Sequence, residues 1–233
     1  MSKEDRIQIC ENRRNIYVFL SRVYERELTQ EMLHELTAQQ TLSKSIGALS
    51  ELRGTRVEKG FKNLVDSVEA MRGRDPAQVQ LELAADYAGL FLGVGGTPAH
   101  PSESVYRSST HLIMQKARDD VLEIYRKMGL EKTANFTEPE DHIAVELQFM
   151  AFLARQTVDA LKADKALDAA EYLEAQRSFL TEHLCRWAPQ FSKDILKNAR
   201  RDFYKAVAQI TAGYLTMDLE AVEGLLEGLK PKP

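Results

Sequence analysis

At 233 residues, with 44% hydrophobic and 28% charged residues, the chain has an ordinary globular composition and length enough for one large domain or two small ones. A net charge of −4 argues against a nucleic-acid-binding face, which needs clustered basic residues. Two cysteines, Cys10 and Cys185, lie far apart without a surrounding motif, which predicts buried thiols in a reducing compartment rather than a disulfide framework.

The first helix is predicted from about 3 to 27, with Ile9, Ile16, Leu20 and Val23 on one face and Arg13-Arg14 on the wet face. The arginine pair superficially resembles a twin-arginine export signal. The apolar run after it, Ile16 to Leu20, is five residues long, Arg22 and Glu25 follow at once, and no small-residue cleavage site appears. The chain is therefore expected to stay in the cytoplasm, and no apolar run is long enough for a membrane span. Thr29 can cap a second helix carrying Leu33 and Leu36. A weaker helix is predicted over 41–54, and another through Phe61, Leu64, Val65 and Val68, stopped near Gly73. Asp75-Pro76 then gives a cap followed by proline at the first helical position, opening a helix with Val79, Leu83, Tyr87 and Leu90.

That helix delivers the chain into the stretch around which the sequence is organised, YAGLFLGVGGTPAHPSESVY from Tyr87 to Tyr106. It holds an apolar helix end, a glycine turn and a stiff proline segment, an uncommon loop of the functional sort. Gly93 to Thr97 invites a phosphate-loop reading, but the Walker pattern needs a lysine followed by Ser or Thr after the last glycine, where Thr97 and Pro98 stand, and no strand precedes the glycines. Metal binding is poorly supported: His183 and Cys185 point to different sides of a helix, and His142 with Glu146 makes only two ligands. No nucleophile elbow supports a catalytic triad.

Beyond the loop, Ile113, Ala117, Val121, Ile124 and Met128 form a helical stripe, closed by a left-handed Gly129. The sequence TEPEDHIAVELQFMAFLA opens the broadest apolar helix, with Ile143, Leu147, Met150, Ala154, Val158 and Leu161 on one face. Thr137 and Glu140 read as its capping box and Pro139 as a first-turn proline. Those needs leave Asp141 and His142 unexplained, and a histidine there should be neutral or paired with Asp141, since its charge would oppose the helix dipole. The next helix carries Leu173, Leu180, Leu184 and Trp187, with His183 packed beside Trp187, and should break at Pro189. Phe203 to Tyr214 and Leu219 to Leu229 read as two further helices, and 230–233 as a disordered tail. With the period at 3.6 almost throughout, the predicted class is all-α: a single globular bundle of about ten helices over 1–229, in two helical halves joined by a hinge at 129–141.

Four ordered segments resemble one family: Tyr87-x-x-Leu90-Phe91-x-Gly93; Pro98-x-x-Pro101-x-x-Ser104-x-Tyr106; Glu138-Pro139-x-Asp141-His142; and Phe179-x-x-x-His183-Leu-x-x-Trp187-x-Pro189-x-Phe191. They resemble the TorD/DmsD/NarJ chaperones, the redox-enzyme maturation proteins. The resemblance implies a non-enzymatic cytoplasmic chaperone that binds the apo form of a molybdopterin-dependent oxidoreductase, or its twin-arginine signal peptide, assists cofactor insertion and delays export. It implies peptide binding by Glu138, Pro139, Asp141 and His142 and, by motif match, by Tyr87, Leu90, Phe91, Pro101, Ser104 and Tyr106. No resident cofactor is implied; weak guanine-nucleotide binding is a property of some family members. The chain departs from relatives with a tryptophan-rich loop, since Trp187 is its one tryptophan. A carboxylate-rich rim beside an apolar groove would suit the basic start and apolar middle of a signal peptide. The competing readings are a guanine-nucleotide switch built on the glycine loop and a plain helical adaptor. A flexible loop between halves also allows a domain-swapped homodimer.

Overall fold

Apolar stripes at helical spacing can be buried only by packing helix on helix, and the computed structural model shows that arrangement. It describes residues 1–37, 55–94, 98–132 and 136–230, so the helix expected over 41–54, the Gly95–Thr97 turn and the last three residues lie outside the described residues. The helices are α1 (Lys3–Glu25), α2 (Gln30–Thr37), α3 (Arg56–Glu69), α4 (Pro76–Phe91), α5 (Glu103–Arg107), α6 (Lys116–Lys127), α7 (Ile143–Lys162), α8 (Ala166–Phe179), α9 (Cys185–Asn198) and α10 (Asp202–Leu229). A π-helical turn, Leu180–Leu184, joins α8 to α9. Among the described residues the one β-type pairing is an isolated antiparallel bridge between Ser102 and His142.

The chain divides into two compact units. Unit 1 comprises Met1–Glu25, Ser102–Trp187 and Leu215–Pro233; unit 2 comprises Arg26–Pro101 and Ala188–Tyr214. Residues 129–141, read from sequence as a hinge, fall inside unit 1, and the chain passes between units at four other points. In unit 1, α7 is the central element, packed chiefly on α1 and α8 and burying Ile143, Leu147, Met150, Ala154, Val158 and Leu161 as expected. In unit 2, Tyr87, Phe91, Phe191 and Tyr204 form an aromatic core, with Tyr87 and Phe91 edge-on at 4.9 Å between centroids.

Several local signals behave as the sequence predicts. Thr29 Oγ1 accepts from the Met32 amide, and the Asp75 carboxylate accepts from Ala77 ahead of Pro76. Gly129 takes φ 68° after α6. Gly60 serves a different need: a Cβ there would lie 2.9 Å from Ile210 Cγ1, so its bare backbone is what lets α3 and α10 approach.

Other expectations are corrected. Pro189 sits inside α9 rather than ending it; burial of Trp187, Ala188, Phe191 and Ser192 around it outweighs the one helical bond that proline forfeits. The last two predicted helices are one helix of 28 residues, Asp202–Leu229. Its buried stripe continues through Leu215, Asp218, Val222 and Leu225. Ile113 precedes α6 and is exposed. Arg13 is not on a wet face. It is 4% exposed, its Nε and Nη2 lie 2.6 and 2.9 Å from the two Asp218 oxygens, and Nη2 also donates to Gln176. The Tyr17 hydroxyl adds a 2.6 Å bond to Asp218, so charge placed in the core is neutralised by a planar, multiply bonded pair. Both cysteines are free; Cys10 is buried, and burial raises the Cys185 thiol to about 11.

Candidate functional site: a buried polar cluster and the groove beside it

Residues 102–107 and 138–142 meet in unit 1. The Ser104 amide donates to Asp141 Oδ2 at 2.8 Å, the Glu103 amide to the Asp141 carbonyl at 3.0 Å, and Ser102 bridges to His142. The third contributor is the turn between α8 and α9. His183 Nδ1 lies 2.9 Å from Glu103 Oε2, and Arg107 Nη1 lies 2.5 Å from the other Glu103 oxygen while also donating to the Glu182 carbonyl. Trp187 Nε1 donates to Glu146 at 3.0 Å, and Tyr106 covers Trp187 with ring centroids 5.5 Å apart.

Three carboxyls, Glu103, Asp141 and Glu146, are fully buried here. Burial, with Glu103 and Asp141 nearby, pushes the Glu146 carboxyl well above the usual range, while the Trp187 bond opposes the shift. The Glu103 carboxyl faces Arg107 and His183. Burial also raises Asp141, against the lowering effect of the Ser104 bonds.

The start of α7 corrects the predicted capping box. The helix begins at Ile143, and its cap is His142, whose Nδ1 accepts from the Ala144 amide at 3.1 Å. Thr137 is exposed, and Glu140 is drawn aside by Arg118, with Nε to Oε2 at 2.5 Å. Burial works against a charge on Glu140, but the Arg118 bond prevails and holds its carboxyl below the ordinary value. An Nδ1 that accepts carries no proton, which accounts for a histidine at a position where positive charge is disfavoured. Lys132 donates to the Glu138 carbonyl and lies 3.5 Å from Glu140, while Phe136 meets His142 edge-on at 5.4 Å.

The predicted site residues thus fall into three groups. Ser104, Asp141 and His142 are buried and joined to one another through the cluster; Glu138, Pro139 and Tyr106 are exposed or half-buried around it in unit 1. Tyr87, Leu90, Phe91 and Pro101 are buried in unit 2, where the Leu90 carbonyl accepts from Ala99. Sequence reasoning missed Glu103 and weighed Glu146 only as a metal ligand with His142. The available signal for Glu146 was a carboxylate inside the apolar stripe of the broadest helix; Glu103 lies between motif positions and gave none. Among the described residues no group of three or more His, Cys, Asp or Glu side chains is arranged to hold a metal ion. No helix among them is long and apolar enough to cross a membrane.

Beside the cluster, α1, α6, α7 and residues Leu130, Glu131, Lys132 and Phe136 line a groove of about 470 Å³ in unit 1. Tyr125 and Phe149 form its buried floor, 4.8 Å apart between centroids, and Ser21 pins α1 to the start of α7 through the Ala144 carbonyl at 2.8 Å. Burial, with the surrounding carboxylates, holds the Tyr125 hydroxyl well above its usual pKa, so it remains a neutral donor, bonded to the Glu140 carbonyl at 3.3 Å.

A helical protein whose distant segments knit into a buried polar cluster is built to hold a surface in shape, as a binding protein does. Comparison with known proteins gives the particular family. Residues 54–193 match the family described as nitrate reductase delta subunit, and the chain belongs to that family. It is 32% identical over 215 residues to the chaperone protein TorD of Aliivibrio fischeri, covering 92% of this chain and 96% of that protein. The TorD chaperones of Photobacterium profundum and Vibrio cholerae serotype O1 (strain El Tor Inaba N16961) are 31% and 28% identical, covering 91% and 93% of this chain and 94% of each relative. A solved structure from Archaeoglobus fulgidus assigned to redox enzyme maturation is 20% identical, with a TM-score of 0.44 over 88% of this chain and 93% of that one. The curated relatives are TorD chaperones, and the chain belongs with them rather than with enzymes.

Proposed function

We propose that this chain is a cytoplasmic, system-specific chaperone for a molybdopterin-dependent oxidoreductase. It binds the apo-enzyme or its twin-arginine signal peptide, keeps the client open for cofactor insertion and delays its export until it is folded. The observation that carries this reading is the meeting of three separate family-like segments in unit 1: Ser104 on Asp141, Tyr106 on Trp187, and His183 on Glu103 beside them. Segments 37 and 80 residues apart in sequence are joined in one small region, as expected where a recognition surface must keep its shape.

The exposed face of that region suits a basic, apolar peptide. Glu138 is exposed beside the cluster, and the groove supplies apolar surface next to it. Of the ten site residues, Glu138, Pro139 and Tyr106, exposed or half-buried in unit 1, are the ones this reading assigns to peptide contact. Ser104, Asp141 and His142 support them from below, and Tyr87, Leu90, Phe91 and Pro101 hold unit 2 in shape. Isothermal titration with a synthetic twin-arginine signal peptide tests the reading. Saturable binding, weakened when the two arginines are replaced by glutamine, is expected; no heat at any peptide concentration would refute it.

A further inference from the structure

Between α5 and α6 the chain holds three successive apolar residues in solvent: Leu112, Ile113 and Met114 are 60, 44 and 53% exposed. Single exposed apolar residues are ordinary, whereas a contiguous group marks an interaction surface. The backbone there is unusual too. His111 and Met114 take left-handed φ of 53° and 60°, a region costly for residues with a Cβ. Hydrogen bonds hold them: His111 Nδ1 lies 2.9 Å from the Val105 carbonyl, the Gln115 amide donates to Ser104 Oγ at 3.1 Å, and Gln115 Nε2 donates to the Ile113 carbonyl at 2.9 Å. Ser104 thus fastens this loop with its hydroxyl while its amide serves Asp141. Strain kept in place to present apolar side chains to water is explained by a surface that receives them.

Unit 1 itself carries a matching concavity. The groove of about 470 Å³ is lined by Leu130, Phe136, Val145 and Phe152 around its Tyr125–Phe149 floor, a size that admits a few apolar side chains. The loop of the same copy does not fill it. Leu112, Ile113 and Met114 are absent from its lining, and Lys116 and Tyr125 stand about 14 Å apart along α6. The charges are complementary. The segment from Arg107 to Lys116 has a cation at each end and no carboxylate, and the Lys116 side chain is 85% exposed even while paired with Asp120. At the groove Glu131 is exposed, and Lys132, the one cation among the described lining residues, is turned onto the Glu138 carbonyl and Glu140.

We infer that the occupant is a second copy of this chain. The loop at 112–114 of each copy seats in the groove of the other, an isologous contact in which each subunit gives a loop and receives one. No helix changes subunit, which separates this pair from a domain-swapped dimer. The pairing does not depend on the function proposed above; because that function draws on the same groove, the dimer and a peptide-bound monomer exclude each other.

Light scattering of the purified full chain over a concentration series is the test. The wild type is expected to pass reversibly from monomer to dimer. Leu112→Glu, in the exposed loop, and Phe152→Glu, in the groove, are each expected to weaken dimerisation at least tenfold with unchanged circular dichroism. Should Phe152→Glu lower the Tm, Glu131→Lys at an exposed position takes its place, with a several-fold weakening expected. Mixing the loop variant with the groove variant leaves one intact loop facing one intact groove, so the mixture should dimerise more strongly than either variant alone. A wild type that stays monomeric throughout, a dimer indifferent to Leu112→Glu, as a swapped one would be, or a mixture no stronger than its components would each overturn the inference.

Discussion

The backbone amide of Ser104 donates to the side chain of Asp141 at 2.8 Å, joining two stretches 37 residues apart. Replacing Asp141 with alanine leaves that buried amide without its acceptor. The expected cost is about 1–3 kcal/mol, the usual range for an orphaned buried donor. Asp141→Asn retains an acceptor and should cost less. Urea unfolding of both variants measures the difference, and equal midpoints for Asp141→Ala and wild type would contradict the account.

Stability should decline as pH rises above the ordinary carboxylate range. Glu146 and Asp141 are both raised in the folded state, from 4.5 and 3.8, so folded protein binds more protons there than unfolded chain does. Their contribution is fully present below those values and is lost as pH climbs through the folded ones. Glu146→Gln keeps an acceptor for Trp187 and a donor for Glu103 without the charge. It is expected to flatten this dependence and to be neutral or stabilising at pH 7. Trp187 fluorescence during thermal melts from pH 4 to 8 reports directly on the affected residues.

The Arg13–Asp218 pair predicts a severe single-site effect. Arg13→Ala strands a buried carboxylate, and losses of about 3–5 kcal/mol accompany such a break. Asp218→Asn in the Arg13→Ala background should recover part of the loss. A double-mutant cycle by chemical denaturation checks both statements.

Gly60→Ala should destabilise although alanine is the better helix former. The added methyl lies 2.9 Å from Ile210 Cγ1 and 3.0 Å from its backbone nitrogen, and backbone cannot swing aside. Overpacking of this kind costs about 1–3 kcal/mol, more than the roughly 1 kcal/mol gained from helix propensity. A lowered Tm is expected; a raised one would show that α3 and α10 have room to move.

What the sequence revealed follows from the range of the forces involved. Asp75-Pro76 and Gly129 obey backbone rules that act within a few residues, so their roles were legible. The broad face of the helix from Ile143 was legible because one long period repeats through it. Arg13 was misplaced because its partner, Asp218, lies 205 residues away, and a lone sequence shows a charge but not its counter-charge. Thr137 and His142 competed to start the same helix; the winner was set by Arg118 drawing Glu140 away, a contact that local spacing does not encode. Asp141 and His142 were picked out as unexplained, and their explanation proved to be hydrogen bonds to Ser104 and Ala144. Glu103 escaped notice, and Glu146 was weighed only as a metal ligand, because burial, not residue type, gives them their character.

The central claim is that this chaperone acts on a molybdopterin enzyme before its cofactor is in place. The most direct measurement is affinity purification of the tagged full chain from cells with and without molybdenum-cofactor synthesis, with co-purified proteins quantified by mass spectrometry. The account predicts one dominant oxidoreductase subunit, recovered at least tenfold more strongly from the cofactor-deficient cells. Equal recovery from both, or recovery of no such subunit, would contradict it.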